Sequence, residues 1–146
     1  MKKVLIVCDS RTGRTQRMAE RIADGVRSTG KEVLIRRVSD IQDSWELEGY
    51  EGYFFGSPTY FKDTTHEMKT FLFMASRASL GGKIGGAFGS YTHIGNGAKM
   101  IYDTMEHVFR MNMAQIKPFN VKEQILDAGK GDQPCRDYGK AVAEKI

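Results

Sequence analysis

Ser10-Arg11-Thr12-Gly13-Arg14-Thr15 is where this sequence concentrates its chemistry. Hydroxyls donate to an oxyanion, and a glycine lets backbone N–H groups approach one closely. The apolar run before it, Lys3-Val4-Leu5-Ile6-Val7-Cys8, reads as a buried strand. Met18, Ala19, Ile22, Ala23 and Val26 after it share one helix face. A loop between a strand and a helix N-terminus receives free amides and the positive end of the helix dipole, so it suits a phosphate. The same stretch carries a rival chemistry. Cys8, five residues, then Arg14 and Thr15 is a spacing in which a thiolate attacks phosphorus while an arginine holds the oxygens. Asp9 works against it, because a neighbouring carboxylate raises a thiol pKa.

Two more loops carry rings and small polar groups. Gly56-Ser57-Pro58-Thr59-Tyr60-Phe61 ends one predicted strand, and Gly89-Ser90-Tyr91-Thr92-His93-Ile94-Gly95-Asn96-Gly97 ends another. A flat aromatic ligand needs ring faces to stack on and backbone groups to read its edge. A phosphate loop with two such loops describes a site for flavin mononucleotide (FMN).

The elements that must position these loops alternate in type. Strands are expected at Lys3–Cys8, Glu32–Val38, Gly52–Gly56 and Ile84–Ser90, with Ala114–Val121 at a sheet edge because Pro118 cannot donate to a ladder. The first helix stops at Gly30, a good residue just past a helix end. His66–Arg77 is helical through Met68, Phe71, Leu72 and Ala75. Ala98–Arg110 carries Ile101, Tyr102, Met105, Val108 and Phe109 on one stripe. Pro134 opens a last helix with Tyr138, Ala141 and Val142 inward. Ser39–Glu51 has room for a short helix, with Trp45 as a packing residue. Such alternation means a parallel sheet covered by helices on both faces, with ligands beyond the carboxyl ends of the strands.

At 146 residues, 40% of them apolar, the chain reads as one domain, 1–146. It has no run of about 18 apolar residues to span a membrane, and Asp9, Arg11 and Arg14 come too early for a signal peptide, so the expected location is cytoplasmic. Cys8 and Cys135 read as reduced thiols, Cys8 as a buried and inert one. No cluster has metal-ligand spacing, and His66 and His107 read as solvated or packed. The net charge is +4, but the basic residues are dispersed, which argues against nucleic acid as a partner.

Three motifs together carry a resemblance. S-x-T-G-x-T (Ser10, Thr12, Gly13, Thr15), G-S-P-T-Y (Gly56 to Tyr60) and F-G-S-Y (Phe88 to Tyr91) occur in the order of a short-chain flavodoxin, and the likeness covers the whole chain. The resemblance implies a flavodoxin-like three-layer α/β/α sandwich with a five-stranded parallel sheet of order 2-1-3-4-5. It implies FMN as cofactor and electron shuttling between redox partner proteins, with no catalytic residue. Ser10, Arg11, Thr12, Gly13, Arg14 and Thr15 would bind the phosphate. Thr59, Tyr60 and Phe61 would flank one side of the isoalloxazine and Tyr91, Thr92 and His93 the other, with Ser57, Pro58 and Ser90 also among the cofactor-binding residues. Gly95, Asn96 and Gly97 would allow close backbone approach.

Two alternatives stand beside it. Quinone oxidoreductases that use NAD(P)H share the cofactor but commonly carry insertions for which this chain has little length. Low-molecular-weight tyrosine phosphatases place a cysteine–arginine loop after a first strand, here Cys8 and Arg14. The chain also departs from the flavodoxin pattern. It is basic where flavodoxins are usually acidic, and Thr59 to His66 contains no glycine. The first departure points to partners with acidic docking surfaces. It also points to an easily reduced flavin, with Arg11, Arg14, Lys62 and His93 as the nearby cations.

Overall fold

Five strands and five helices alternate along the chain in a computed structural model that describes residues 1–60 and 62–146. The strands are β1 (Lys3–Cys8), β2 (Glu32–Arg37), β3 (Gly52–Pro58), β4 (Ile84–Tyr91) and β5 (Phe119–Lys122). The helices are α1 (Arg14–Arg27), α2 (His66–Ala75), α3 (Asn96–Asp103), α4 (Glu123–Asp127) and α5 (Asp132–Ala143). All strand pairs are parallel and the order is β2-β1-β3-β4-β5, as the resemblance implies. Order reverses at β1, which places a crevice beyond the carboxyl ends of β1, β3 and β4.

Alternation along the strands divides the core in two. Val4, Ile6, Cys8 and Phe54 pack against α1 and α5 through Met18, Ile22, Cys135 and Val142. Leu5, Val7, Tyr53 and Phe55 pack on the opposite face with Met68, Phe71, Ile101 and Met105 of α2, α3 and the turn after it. Successive side chains of a strand point to opposite faces, so continuous apolar runs are what a sheet buried on both sides requires. At the α1–α5 crossing the backbones nearly touch. A Cβ on Gly139 would lie 2.2 Å from the Ile22 carbonyl oxygen, and one on Gly25 would lie 2.0 Å from that of Arg136.

Several boundaries differ from expectation for physical reasons. β3 runs on to Pro58, which still pairs with Ser90, and β4 to Tyr91, which pairs with Lys122 of β5. β2 stops at Arg37, and Val38 turns inward in a short 3-10 segment. α3 passes into a π-helical turn, Thr104–Val108, whose extra residue swings Val108 to 61% exposure although its spacing fits the buried stripe. β5 is only Phe119–Lys122. Ala114 and Gln115 form a left-handed turn (φ 58° and 59°) closed by the Ile116 N–H on the Met113 carbonyl, so the strand cannot begin there. α4 is an element the sequence pattern does not announce, and α5 begins at Asp132, before Pro134. In α5 Ala143 is buried and Ala141 exposed. Trp45 is 69% exposed and is not a packing residue; Leu47 and Ile41 fill that part of the core.

Candidate functional site

Parallel register brings the three loops together. Cys8 pairs with Gly56, Gly56 with Phe88, and Pro58 with Ser90, so the chain leaves β1, β3 and β4 at neighbouring points. The loops are then joined directly. The Thr59 N–H donates to the Ser90 carbonyl at 2.9 Å, and Thr59 Oγ1 accepts from the Gly97 N–H at 2.9 Å. Thr15 Oγ1 and Ser90 Oγ, both buried, share a hydrogen bond of 3.0 Å that ties the start of α1 to the end of β4.

The first loop is shaped by Ser10 and Gly13. Ser10 Oγ accepts from the N–H groups of Gly13 (3.1 Å) and Gln16 (3.2 Å). Gly13 takes φ 92°, a conformation that costs glycine little, and its carbonyl accepts the Arg17 N–H at 3.0 Å. The N–H groups of Arg11, Thr12, Arg14 and Thr15 have no acceptor among the described residues. Thr12 and Arg14, with Gly13, Arg17, Leu126 and Asp127, border an open cleft of ≈ 470 Å³.

The arginines of this loop are already matched. Arg14 makes a two-pronged contact with Asp127 (2.9 and 3.0 Å) and lies 3.6 Å from Glu123, both on α4. Hydrogen bonding to Arg14 holds the Asp127 carboxyl below its ordinary pKa. Arg11 pairs with Glu67 at 2.8 Å, and its guanidinium sits 5.2 Å from the centre of the Tyr60 ring. A backbone amide and then Arg11 hold Glu67 low in the same way. Among the described residues the donors without a partner here include neutral amides and the Thr12 hydroxyl, while the arginine charges are paired.

The second loop folds back on itself. Tyr60 and Asp63 exchange backbone hydrogen bonds of 2.8 and 2.9 Å, and Lys62 supplies the left-handed residue of the turn at φ 63°. A lysine thus occupies a conformation that glycine takes more readily. Phe61 lies outside the described residues. Tyr60 and Thr59 face Thr92, His93 and Ile94 of the third loop across a slot of ≈ 320 Å³. Under the third loop lies Asn120 of β5, whose Oδ1 is buried without a partner, 3.3 Å from where a Cβ of Gly95 would stand. A larger cleft, ≈ 560 Å³, opens at the amino ends of β1 and β2 beside Lys3 and Lys31, and none of the three loops reaches it.

Of the expected site residues, Arg11, Thr12, Gly13, Thr92, His93 and Asn96 are exposed at this end of the sheet. Ser10, Arg14, Thr59, Tyr60, Tyr91 and Gly95 are half-buried. Thr15, Ser57, Pro58, Ser90 and Gly97 are buried and brace the loops. The sequence reading missed Asp127, Glu123, Thr65 and Asn120. Only Thr65 had a local signal, a threonine just before a helical stripe. It caps α2 by accepting from the Met68 N–H at 3.1 Å.

Cys8 cannot serve as a phosphatase nucleophile. It is fully buried, its thiol meets Gln16 Oε1 at 3.3 Å, and burial pushes its pKa up to about 12. A thiol so protonated supplies no thiolate at neutral pH. Among the described residues there is no group of three metal-ligating side chains and no helix long and apolar enough to cross a membrane.

A crevice at the reversal of strand order, with free amides at one end and facing rings at the other, defines a nucleotide-type cofactor protein of the doubly wound class. Known proteins make that specific. The flavodoxin family profile matches residues 6–140. A flavodoxin of Clostridium saccharobutylicum is 35% identical, over 99% of this chain and 97% of its own. A solved flavodoxin from the domain Archaea superposes with a TM-score of 0.87 at 28% identity, covering 98% of this chain and 97% of that one. An NAD(P)H dehydrogenase (quinone) of Archaeoglobus fulgidus is 30% identical over only 62% of each chain. This chain belongs to the flavodoxin family, and it is an FMN-binding electron-transfer protein. The donors present fit that cofactor: unpartnered amides around an open glycine for the phosphate, and a slot between polar and aromatic loops for the ring system.

Proposed function

We propose that FMN is held with its phosphate on the Ser10–Thr15 loop and its ring system between Thr59–Tyr60 and Thr92–His93. The observation that carries this is the set of amides around Gly13 that have no acceptor among the described residues, at the same end of the sheet as the slot that Tyr60 and His93 border. Thr12 and the amides of Arg11, Thr12, Arg14 and Thr15 would bind the phosphate, with the N-terminus of α1 behind them. Thr15 and Ser90 would hold two loops at fixed spacing, and Gly95 to Gly97 would let the third loop lie close. FMN bound there supplies reversible one- and two-electron chemistry, and this chain's part is to bind it, tune it and limit access to it.

Electron exchange then occurs with partner proteins that approach the exposed rim of Lys62, His93, Ile94 and Lys99. That rim carries the exposed Lys62 beside the exposed Ile94, which fits an acidic docking surface, while Lys99 is paired with Asp103 at 2.7 Å. The location that goes with such shuttling is the cytoplasm.

The test is a fluorescence titration of the purified apoprotein with FMN. Quenching at micromolar protein supports the reading, and unchanged fluorescence overturns it. Steady-state oxidation of NADH or NADPH by a quinone should be negligible without a partner reductase; rapid turnover would favour the quinone oxidoreductase alternative.

A further inference from the structure

A buried hydrogen-bond chain at the foot of the second loop does no cofactor binding in the reading above. The Thr65 hydroxyl donates to Asp9 Oδ2 at 2.5 Å while accepting from the Met68 N–H. The Thr65 N–H donates to Ser57 Oγ at 3.3 Å, and the Ser57 hydroxyl donates to the Pro58 carbonyl at 2.9 Å. The Asp9 N–H donates to the Gly56 carbonyl at 3.0 Å. Each hydroxyl has one proton to give. That of Ser57 goes to Pro58, and that of Thr65 goes to its short contact, Asp9.

The chain ties three segments into one joint: the residue after β1, the end of β3 and the first turn of α2. It also closes the second loop at its far end, as the Thr59–Ser90 bond closes it at the near end. Asp9 is otherwise badly placed. A carboxylate adjoining a phosphate loop repels the ligand of that loop. Its charge instead strengthens the bond to Thr65, because an ionised acceptor binds a hydroxyl more tightly than a neutral one.

We propose that Asp9 is a positioning residue for the ring-flanking loop, acting through Thr65 to fix the pose of Thr59 and Tyr60 without touching the cofactor. The proposal rests on the reading that this loop flanks the ring system. Because the joint serves the ring end of the site, its loss weakens riboflavin as well as FMN.

Apoprotein is titrated with riboflavin and with FMN, and the bound flavin's visible circular dichroism is recorded. Asp9→Ala should weaken riboflavin roughly tenfold, weaken FMN by less because the same change removes a repulsion on the phosphate, and change the dichroism. Asp9→Asn, whose amide oxygen still accepts from Thr65, should stay within about threefold of the parent and restore the signal. Thr65→Val removes the same bond from the other side, together with the cap on the Met68 N–H, and should weaken riboflavin at least as much as Asp9→Ala, with Thr65→Ser restoring it. Loss of FMN affinity alone, unchanged riboflavin affinity in Asp9→Ala, or Asn behaving as Ala would each overturn the proposal. Tyr60→Ala separates the two ideas. If it leaves riboflavin binding unchanged, the loop assignment itself fails. If it weakens riboflavin while Asp9→Ala does not, only the positioning role fails.

Discussion

Replacing Gly13 with alanine isolates what the first loop contributes. Gly13 sits at φ 92° and ψ −8°, and a Cβ built there meets nothing within 4 Å. Gly13→Ala therefore introduces no clash with the protein, and its cost is the left-handed conformation, about 1–2 kcal/mol for a residue with a Cβ. Two hydrogen bonds resist relaxation: the Gly13 N–H to Ser10 Oγ and the Arg17 N–H to the Gly13 carbonyl. Where the loop keeps its shape, the strain is carried by the free protein and appears as lost stability, about 2–8 °C in Tm for a chain of this size. Where the loop yields, the amides must be gathered again when phosphate binds, and the same energy appears as a roughly 5- to 30-fold rise in the FMN dissociation constant.

Riboflavin has no phosphate and reports the ring end alone. Parallel titrations with FMN and riboflavin, with a thermal melt of the apoprotein, divide the total between the two limits. The expectation is a combined loss within the stated range and riboflavin affinity unchanged. Equal weakening of both flavins would refute the reasoning, because it would put the phosphate elsewhere. So would a variant that loses neither stability nor FMN affinity.

Gly139→Ala should cost about 3 kcal/mol, since its Cβ would press on the Ile22 carbonyl and force α5 off α1; a Tm shift under about 1 °C in a thermal melt would contradict that packing. Burial pushes the Cys8 and Cys135 thiols up from an ordinary 9.0 to about 12, so each stays protonated when folded while the unfolded chain ionises. Stability should be intact below pH 9 and fall between there and 12 by about 1.4 kcal/mol per pH unit per thiol, and Cys135→Ala should lessen the slope measured by denaturant unfolding. Lys62→Glu reverses a charge at the slot and should lower the midpoint potential of bound FMN by some tens of millivolts, read by spectroelectrochemistry; no shift would show that Lys62 does not tune the flavin.

What the sequence made legible was local. The first loop is read within six residues, because a strand, a hydroxyl-rich turn and a helix stripe follow each other without interruption. The order of the sheet came with the family resemblance, since alternation alone leaves strand order open. Spacing misled where backbone geometry changed under it. Val108 keeps helical spacing from Met105 and Ile101, yet one π-turn rotates it into solvent. Trp45 looked like core by type, and its exposure reflects a loop whose inward positions go to Ile41 and Leu47. The partners of the loop arginines were illegible for another reason. Asp127 is 113 positions from Arg14, on a short helix with no stripe of its own.

Those partners change the meaning of the net charge. A balance of +4 suggests a site that pulls on anions, with Arg11 and Arg14 foremost. In the folded chain Arg11 meets Glu67, Arg14 meets Asp127 and Glu123, Arg17 meets Asp132, and Lys69 meets Asp63. Exposed pairs of this kind add little stability, but each cancels most of its own field beyond a few ångströms. Lys99 likewise meets Asp103, and the excess positive charge is left elsewhere, on residues such as Lys62 beside the slot. Two bindings at one end of the sheet should therefore respond to salt differently. On the proposed reading the phosphate is held by amides and a helix N-terminus at short range and would be screened weakly. Docking of an acidic partner on the rim acts over longer distances and is screened strongly. Raising ionic strength from about 0.01 to 0.15 M shortens the screening length from about 30 to 8 Å. Across that range the FMN dissociation constant should move little, while the association rate with an acidic redox partner, measured by stopped flow, falls severalfold. If FMN affinity fell as steeply as the docking rate, the arginines would be holding the phosphate after all, and their carboxylate partners would have to release them when it binds.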